Sequence, residues 1–142
     1  MGNLADPLCP LLLVVVLEIG CYTGYSAMAW HESTAALETE IITLELDPKM
    51  IAASRRTFDK YRLNDRIRLI EGPAGESILS LTGQFDLVFV DANKDGYQDY
   101  VQKILDRKLL SPNGLILCDN SERSPDDNTP QIPRRYADRN IG

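Results

Sequence analysis

The spacing of apolar and polar residues changes repeatedly along the chain, and each change marks an element. Leu12 to Ile19 is apolar at every position but one and rich in valine. That pattern predicts a strand buried on both faces. Tyr25 to Leu37 reads as a helix, and "EIITLEL" (Glu40 to Leu46) as a second strand. Asp47-Pro48 then opens a helix, with Asp as N-cap and Pro in the first turn, running to about Tyr61. "RIRLIEG" alternates as a third strand, "ESILSLT" is a short helical turn, and "FDLVFVDA" is a fourth strand. Tyr97 to Leu110 reads as a helix with Val101, Ile104, Leu105 and Leu109 on one side. "SPNG" is a turn, and "GLILCDN" is a fifth strand.

Strands that alternate with helices imply an α/β fold: a parallel sheet, right-handed crossovers and helices on both faces. In such sheets ligands bind beyond the carboxyl ends of the strands, near the point where the strand order reverses. The residues to inspect are therefore Glu18 to Gly24, Glu45 to Asp47, Gly72 to Ala74, Asp91 to Lys94, and Asp119 with Asn120. From Ser121 the pattern ends: "SERSPDDNTPQIPRRYADRNIG" is proline-rich, with few apolar residues and no period. Residues 1–120 read as one core and 121–142 as an irregular tail.

Composition narrows the function. The 142 residues carry a net charge of −6, which disfavours a nucleic-acid partner. Cys9, Cys21 and Cys118 follow no metal or redox spacing and read as reduced thiols of a cytoplasmic protein. No Lys or Arg precedes "LCPLLLVVVL", no small-residue cleavage site follows it, and it is too short to span a bilayer. Neither a signal peptide nor membrane association is expected.

The stretch "LEIGCYTGYSA" carries the first candidate chemistry. Gly20 lets the backbone turn and approach a ligand, and Gly24 opens the next helix. The spacing differs from the Gly-x-Gly-x-x-Gly of dinucleotide binders, which disfavours a nucleotide-dependent oxidoreductase. Glu18 would repel a pyrophosphate but suits a cationic ligand, and Glu45 is placed to take two ribose hydroxyls. Together they suggest a nucleoside without phosphates, and S-adenosylmethionine fits. The simpler alternative is a structural strand-to-helix turn with incidental acids.

Asp91 ends the fourth strand, and Asp119 with Asn120 ends the fifth. Adjacent strands are about 4.8 Å apart, so these oxygen ligands can converge on a hard cation such as Mg²⁺, with Ca²⁺ or Mn²⁺ as alternatives. Lys94 is placed to serve as a base. Capping of strand ends by Asp and Asn is the alternative.

With both constellations in view, the chain resembles the cation-dependent, S-adenosylmethionine-dependent O-methyltransferases, the group of the caffeoyl-CoA and catechol enzymes. "VLEIGCYTGYSAMAW", "LELDPKMIAASRRTF", "FDLVFVDANKDGYQDY" and "LSPNGLILCDN" carry the resemblance, over roughly Val15 to Asn120. It implies a Rossmann-like methyltransferase sheet of order 3-2-1-4-5. It also implies that Gly20 and its neighbours hold the methionine part, with Tyr22, Thr23, Gly24 and Ser26 around the carboxylate and amine. Glu45 would bind the ribose, with Leu46 and Ala74 near adenine. Asp91, Asp119 and Asn120 would be metal ligands, and Lys94 the catalytic lysine, with Asp91 serving both cofactor and catalysis. The reaction implied is methyl transfer to a hydroxyl of a phenolic or catechol-type small molecule.

The chain departs from that family at both ends. Helices usually precede the first strand, and a helix and an antiparallel strand pair usually follow the fifth. The expectation is a shortened version whose acceptor pocket is in question. A catalytically silent cofactor-binding or oligomerising remnant is the competing reading. The apolar edge at "GLILC" predicts self-association, as a homo-oligomer or an aggregate. His31 reads as a surface or interface residue, and the Arg134-Arg135 pair as part of a solvated tail.

Overall fold

The computed structural model describes residues 14–92 and 94–118. Five parallel strands, β1 (Val15–Ile19), β2 (Glu40–Glu45), β3 (Ile67–Glu71), β4 (Phe85–Val90) and β5 (Leu110–Cys118), form one sheet of order β3-β2-β1-β4-β5. Four helices join them: α1 (Tyr25–Ser33), α2 (Pro48–Lys60), α3 (Ala74–Ser80) and α4 (Tyr97–Asp106). The expected order 3-2-1-4-5 is the one found. The order reverses between β1 and β4, so the crevice lies beyond their carboxyl ends.

Period-two alternation sends the strand residues to two cores. Val16 and Ile41 pack with Cys21, Ala27, Phe58 and Ile67 on the α1/α2 face. Leu17, Ile19, Ile42, Leu44, Val88 and Val90 pack with Ile78, Leu81, Tyr97 and Ile104 on the α3/α4 face. Burial on both faces explains why β1 reads as an almost continuous apolar run.

The start of α2 follows its sequence signal. Lys49 N–H donates to Asp47 Oδ1 at 2.8 Å, and Pro48 stands at the first helical position. Asp47→Ala should cost about 1 kcal/mol, the usual loss for an N-cap, as a lower urea midpoint with an unchanged slope. An unchanged midpoint would show that this cap adds nothing to stability.

Other boundaries differ from expectation for local reasons. α1 stops at Ser33 rather than Leu37. The Ser33 and Thr34 hydroxyls donate back to the Ala29 and Trp30 carbonyls, and the Arg66 guanidinium takes the carbonyls of His31 and Thr34. α3 begins at Ala74, two residues before Glu76, because the Pro73 carbonyl accepts from the N–H groups of Glu76 and Ser77. α4 stops at Asp106 rather than Leu110. Lys108 adopts φ +55°, Lys108 N–H donates to Leu105 O, and Leu109 N–H donates to Ile104 O, the paired bonds of a Schellman cap.

"SPNG" lies within β5 as a break in register rather than ahead of the strand. Phe85 pairs with Leu110 but Leu87 pairs with Leu115. Asp86 bridges the irregularity, accepting from Val15 N–H at 2.9 Å and from the Ser111 hydroxyl at 2.9 Å. Among the described residues no helix is long and apolar enough to cross a membrane.

Candidate functional site

The loop from Gly20 to Gly24 leaves β1 at the crevice and is held on three sides. Gly20 and Cys21 N–H both donate to the Leu44 carbonyl of β2, at 2.9 and 3.1 Å. Asp91 N–H, at the exit of β4, donates to Ile19 O at 2.9 Å. A Cβ on Gly20, which has φ +98°, would stand 1.9 Å from the Asp91 carbonyl oxygen. Only glycine lets the two strand exits pass this closely. Tyr22 is also left-handed at φ +50°, and Gly24 has φ +87°, where a Cβ would stand 2.8 Å from Phe58 Cε1. No side chain caps the start of α1, so its first N–H groups are not taken by a side-chain cap.

Glu45 closes the loop from the β2 side. Its Oε2 accepts from Tyr22 N–H at 2.7 Å, and Oε1 accepts from Leu46 and Asp47 N–H, each at 2.9 Å. An ionised carboxylate offers about four acceptor positions. Three are taken by backbone, so the group is fixed in place with capacity for a further donor. Leu46, next to it, is 61 % exposed. Gly72 N–H donates to the Glu45 carbonyl at 2.9 Å, which sets the end of β3 and the start of α3 at Ala74 beside the same rim. Thr23 is exposed and Ser26 half-buried.

Glu18 is the deepest of the residues singled out by sequence, with no solvent exposure. Thr43, its partner across the β1–β2 pairing, donates its hydroxyl to Oε1 at 2.7 Å. Oε2 and Trp30 Nε1 lie buried beside one another, too poorly aligned for a full hydrogen bond but close enough to interact. Burial pushes the carboxyl up to about 7, against the Thr43 hydrogen bond and the Trp30 contact, and the charges of Asp91 and Glu45 add to the rise. The acid thus lies behind the loop, on the α1/α2 side of the sheet.

Asp91 is half-buried just past β4, and Lys94 is exposed in a short 3-10 turn, Lys94–Gly96. Tyr97, which opens α4, is pushed up to about 12 by burial and by the Asp91 charge, so its phenol stays protonated. Asp119 and Asn120 lie outside the described residues. Among the described residues no three His, Cys, Asp or Glu side chains gather in a metal-binding group. Sequence reasoning missed Thr43 and Ser54; the latter is a fully buried serine on α2 that bonds to the loop.

The family model described as O-methyltransferase matches residues 13–129 of this chain. The chain belongs to the O-methyltransferase family. O-methyltransferase ankF of Aspergillus thermomutatus is 48% identical over 107 residues, 75% of this chain and 45% of that protein. Catechol O-methyltransferase of Niastella koreensis is 34% identical over 109 residues, covering 74% of this chain and 48% of that protein. The crystal structure of the S-adenosylhomocysteine-bound methyltransferase PaMTH1 of Podospora anserina superposes with a TM-score of 0.74 at 63% identity. It covers 75% of this chain and 45% of that one. The chain spans about half the length of the curated relatives it matches. This O-methyltransferase-family chain therefore carries the Rossmann-like sheet and the glycine loop that its sequence led one to expect.

Proposed function

We propose that this chain binds S-adenosylmethionine on the Gly20–Gly24 loop and serves methyl transfer to a hydroxyl of a catechol-type or phenolic small molecule, with help from a divalent cation. The observation that carries this reading is Glu45, fixed at the rim with acceptor capacity left over beside a glycine-lined loop. That arrangement fits a ribose. A pyrophosphate would meet a carboxylate instead of donors. The catechol O-methyltransferase among the relatives supports the choice of acceptor.

Bound there, S-adenosylmethionine supplies an activated methyl group, and a divalent cation supplies Lewis acidity that lowers the pKa of a chelated hydroxyl. Glu45 takes the ribose hydroxyls, and Leu46 and Ala74 border the base. Tyr22, Thr23 and Ser26, with the uncapped start of α1, hold the carboxylate and amine. Asp91, Asp119 and Asn120 hold the cation. The Val90–Cys118 pairing supports this set, because Asp91 and Asp119 are the residues that follow that rung in the sequence. Lys94 takes or stabilises the acceptor proton. Positioning by these groups supplies much of the rate.

Methyl transfer from S-adenosylmethionine to a catechol, with Mg²⁺ and with a chelator, tests the reading. Methylated product that requires the cation is expected, and transfer unaffected by chelation would remove the metal from the proposal. Glu45→Ala should weaken S-adenosylhomocysteine by about 2 kcal/mol, the worth of charge-assisted hydrogen bonds. Unchanged affinity in a folded variant would take Glu45 out of the site.

A further inference from the structure

α2 turns Ile51, Ser54 and Phe58 toward the sheet. Two are core hydrophobes; the third is a serine with no solvent exposure at all. Its hydroxyl is not spent on its own helix. Ser54 Oγ donates to the Tyr22 carbonyl at 2.7 Å and accepts from the Cys21 thiol at 3.3 Å. Both partners belong to the glycine loop. Burial pushes the Cys21 thiol up, so it keeps its proton and remains a donor at neutral pH.

These bonds act on a residue under constraint. Tyr22 holds φ +50°, a conformation that side-chain-bearing residues adopt rarely. Its peptide groups are held on both sides: Glu45 accepts from the N–H, and Ser54 donates to the carbonyl. Neighbouring Gly24 rests on Phe58, and a Cβ there would also meet Ser54 Oγ at 3.5 Å. α2 thus supports the whole span from Cys21 to the start of α1.

We propose that Ser54 is a positioning residue for S-adenosylmethionine, acting through Tyr22 on the loop that faces the amino-acid part of that molecule. The inference rests on the cofactor reading above. Without the hydroxyl, the Tyr22 carbonyl loses this bond, and the left-handed turn that sets Thr23 to Ser26 loosens. The nucleoside end should be affected less. Glu45 keeps its Leu46 and Asp47 N–H bonds, and Leu46 and Ala74 do not touch Ser54 in any bond of the structure.

Ser54→Ala in the full chain tests this, since alanine suits a helix and removes only the hydroxyl. Amide hydrogen exchange at Tyr22 to Ser26 should quicken about tenfold while β1, β2 and the interior of α2 exchange at native rates. Native exchange across the loop would overturn the clamp. By calorimetry S-adenosylhomocysteine should bind about tenfold more weakly to Ser54→Ala, with adenosine unchanged within about twofold. Equal losses for both ligands would mean general loosening and would overturn the proposal, as would undiminished S-adenosylhomocysteine binding. Ser54→Thr keeps the hydroxyl and should restore affinity; if it binds as weakly as Ser54→Ala, packing rather than the hydrogen bond is at work. Should Ser54→Ala not fold, Ser54→Cys replaces it, with a weaker donor of similar volume and the same expected split between ligands. A native chain that binds neither ligand would overturn the cofactor reading and the ligand role of Ser54 with it, while the exchange rates would still decide the clamp.

Discussion

Gly20→Ala should cost at least about 4 kcal/mol and leave little folded chain. Two effects add at this position. The backbone sits at φ +98°, a region that costs a side-chain-bearing residue about 1–2 kcal/mol. The new Cβ would also lie 1.9 Å from the Asp91 carbonyl oxygen and 2.7 Å from its carbon. That obstacle is backbone, and Asp91 N–H is bonded to Ile19 O, so neither strand exit can yield alone. Gly83→Ala separates the two effects. Gly83 has φ +81°, but a methyl group there would meet nothing within 4 Å, so it should lose only the conformational part. Urea unfolding of the two variants compares them directly. Equal losses would show that the close approach of β1 and β4 carries no weight.

Glu18 should make the chain less stable as pH rises from 4.5 to about 7, by about 3 kcal/mol. The sign follows from the direction of the shift. Below 4.5 the carboxyl is protonated in both folded and unfolded chains and contributes no pH dependence. Above that, the unfolded group ionises while burial keeps the folded one neutral. Ionisation thus favours the unfolded chain until the folded group titrates near 7. The negative charges of Asp91 and Glu45 reinforce this, while Thr43 and Trp30, which favour the charged carboxylate, oppose it without reversing it. Glu18→Gln keeps the shape and removes the proton equilibrium. Urea midpoints of the two proteins at several pH values should therefore diverge across this window, the native chain losing stability relative to the variant as pH rises. Parallel profiles would mean that Glu18 ionises as an ordinary carboxylate.

The framework was legible because its signals are local. β1, β2 and β4 are apolar runs buried on two faces, and the start of α2 is an Asp-Pro pair whose N-cap bond is present. Helix ends were less so. α4 ends in a left-handed Lys108 where glycine is the usual marker, and the apolar period runs on through Leu109, which turns into the core after the helix has stopped. In β5 the turn residues of "SPNG" are absorbed by a register break that exists only because Phe85 and Leu87 lie alongside. In the site, Gly20, Gly24 and Glu45 could be singled out from their places at strand ends. Thr43 and Ser54 could not. Each matters only through a partner 25 or 32 residues away, a distance in sequence that no period reveals.

Calorimetric titration of the native chain with S-adenosylhomocysteine, beside the same titration with NAD, tests the central claim most directly. Saturable binding of S-adenosylhomocysteine at one site per chain, with no heat from NAD, is the predicted result. Tight NAD binding, or no response to S-adenosylhomocysteine from a folded chain, would contradict it.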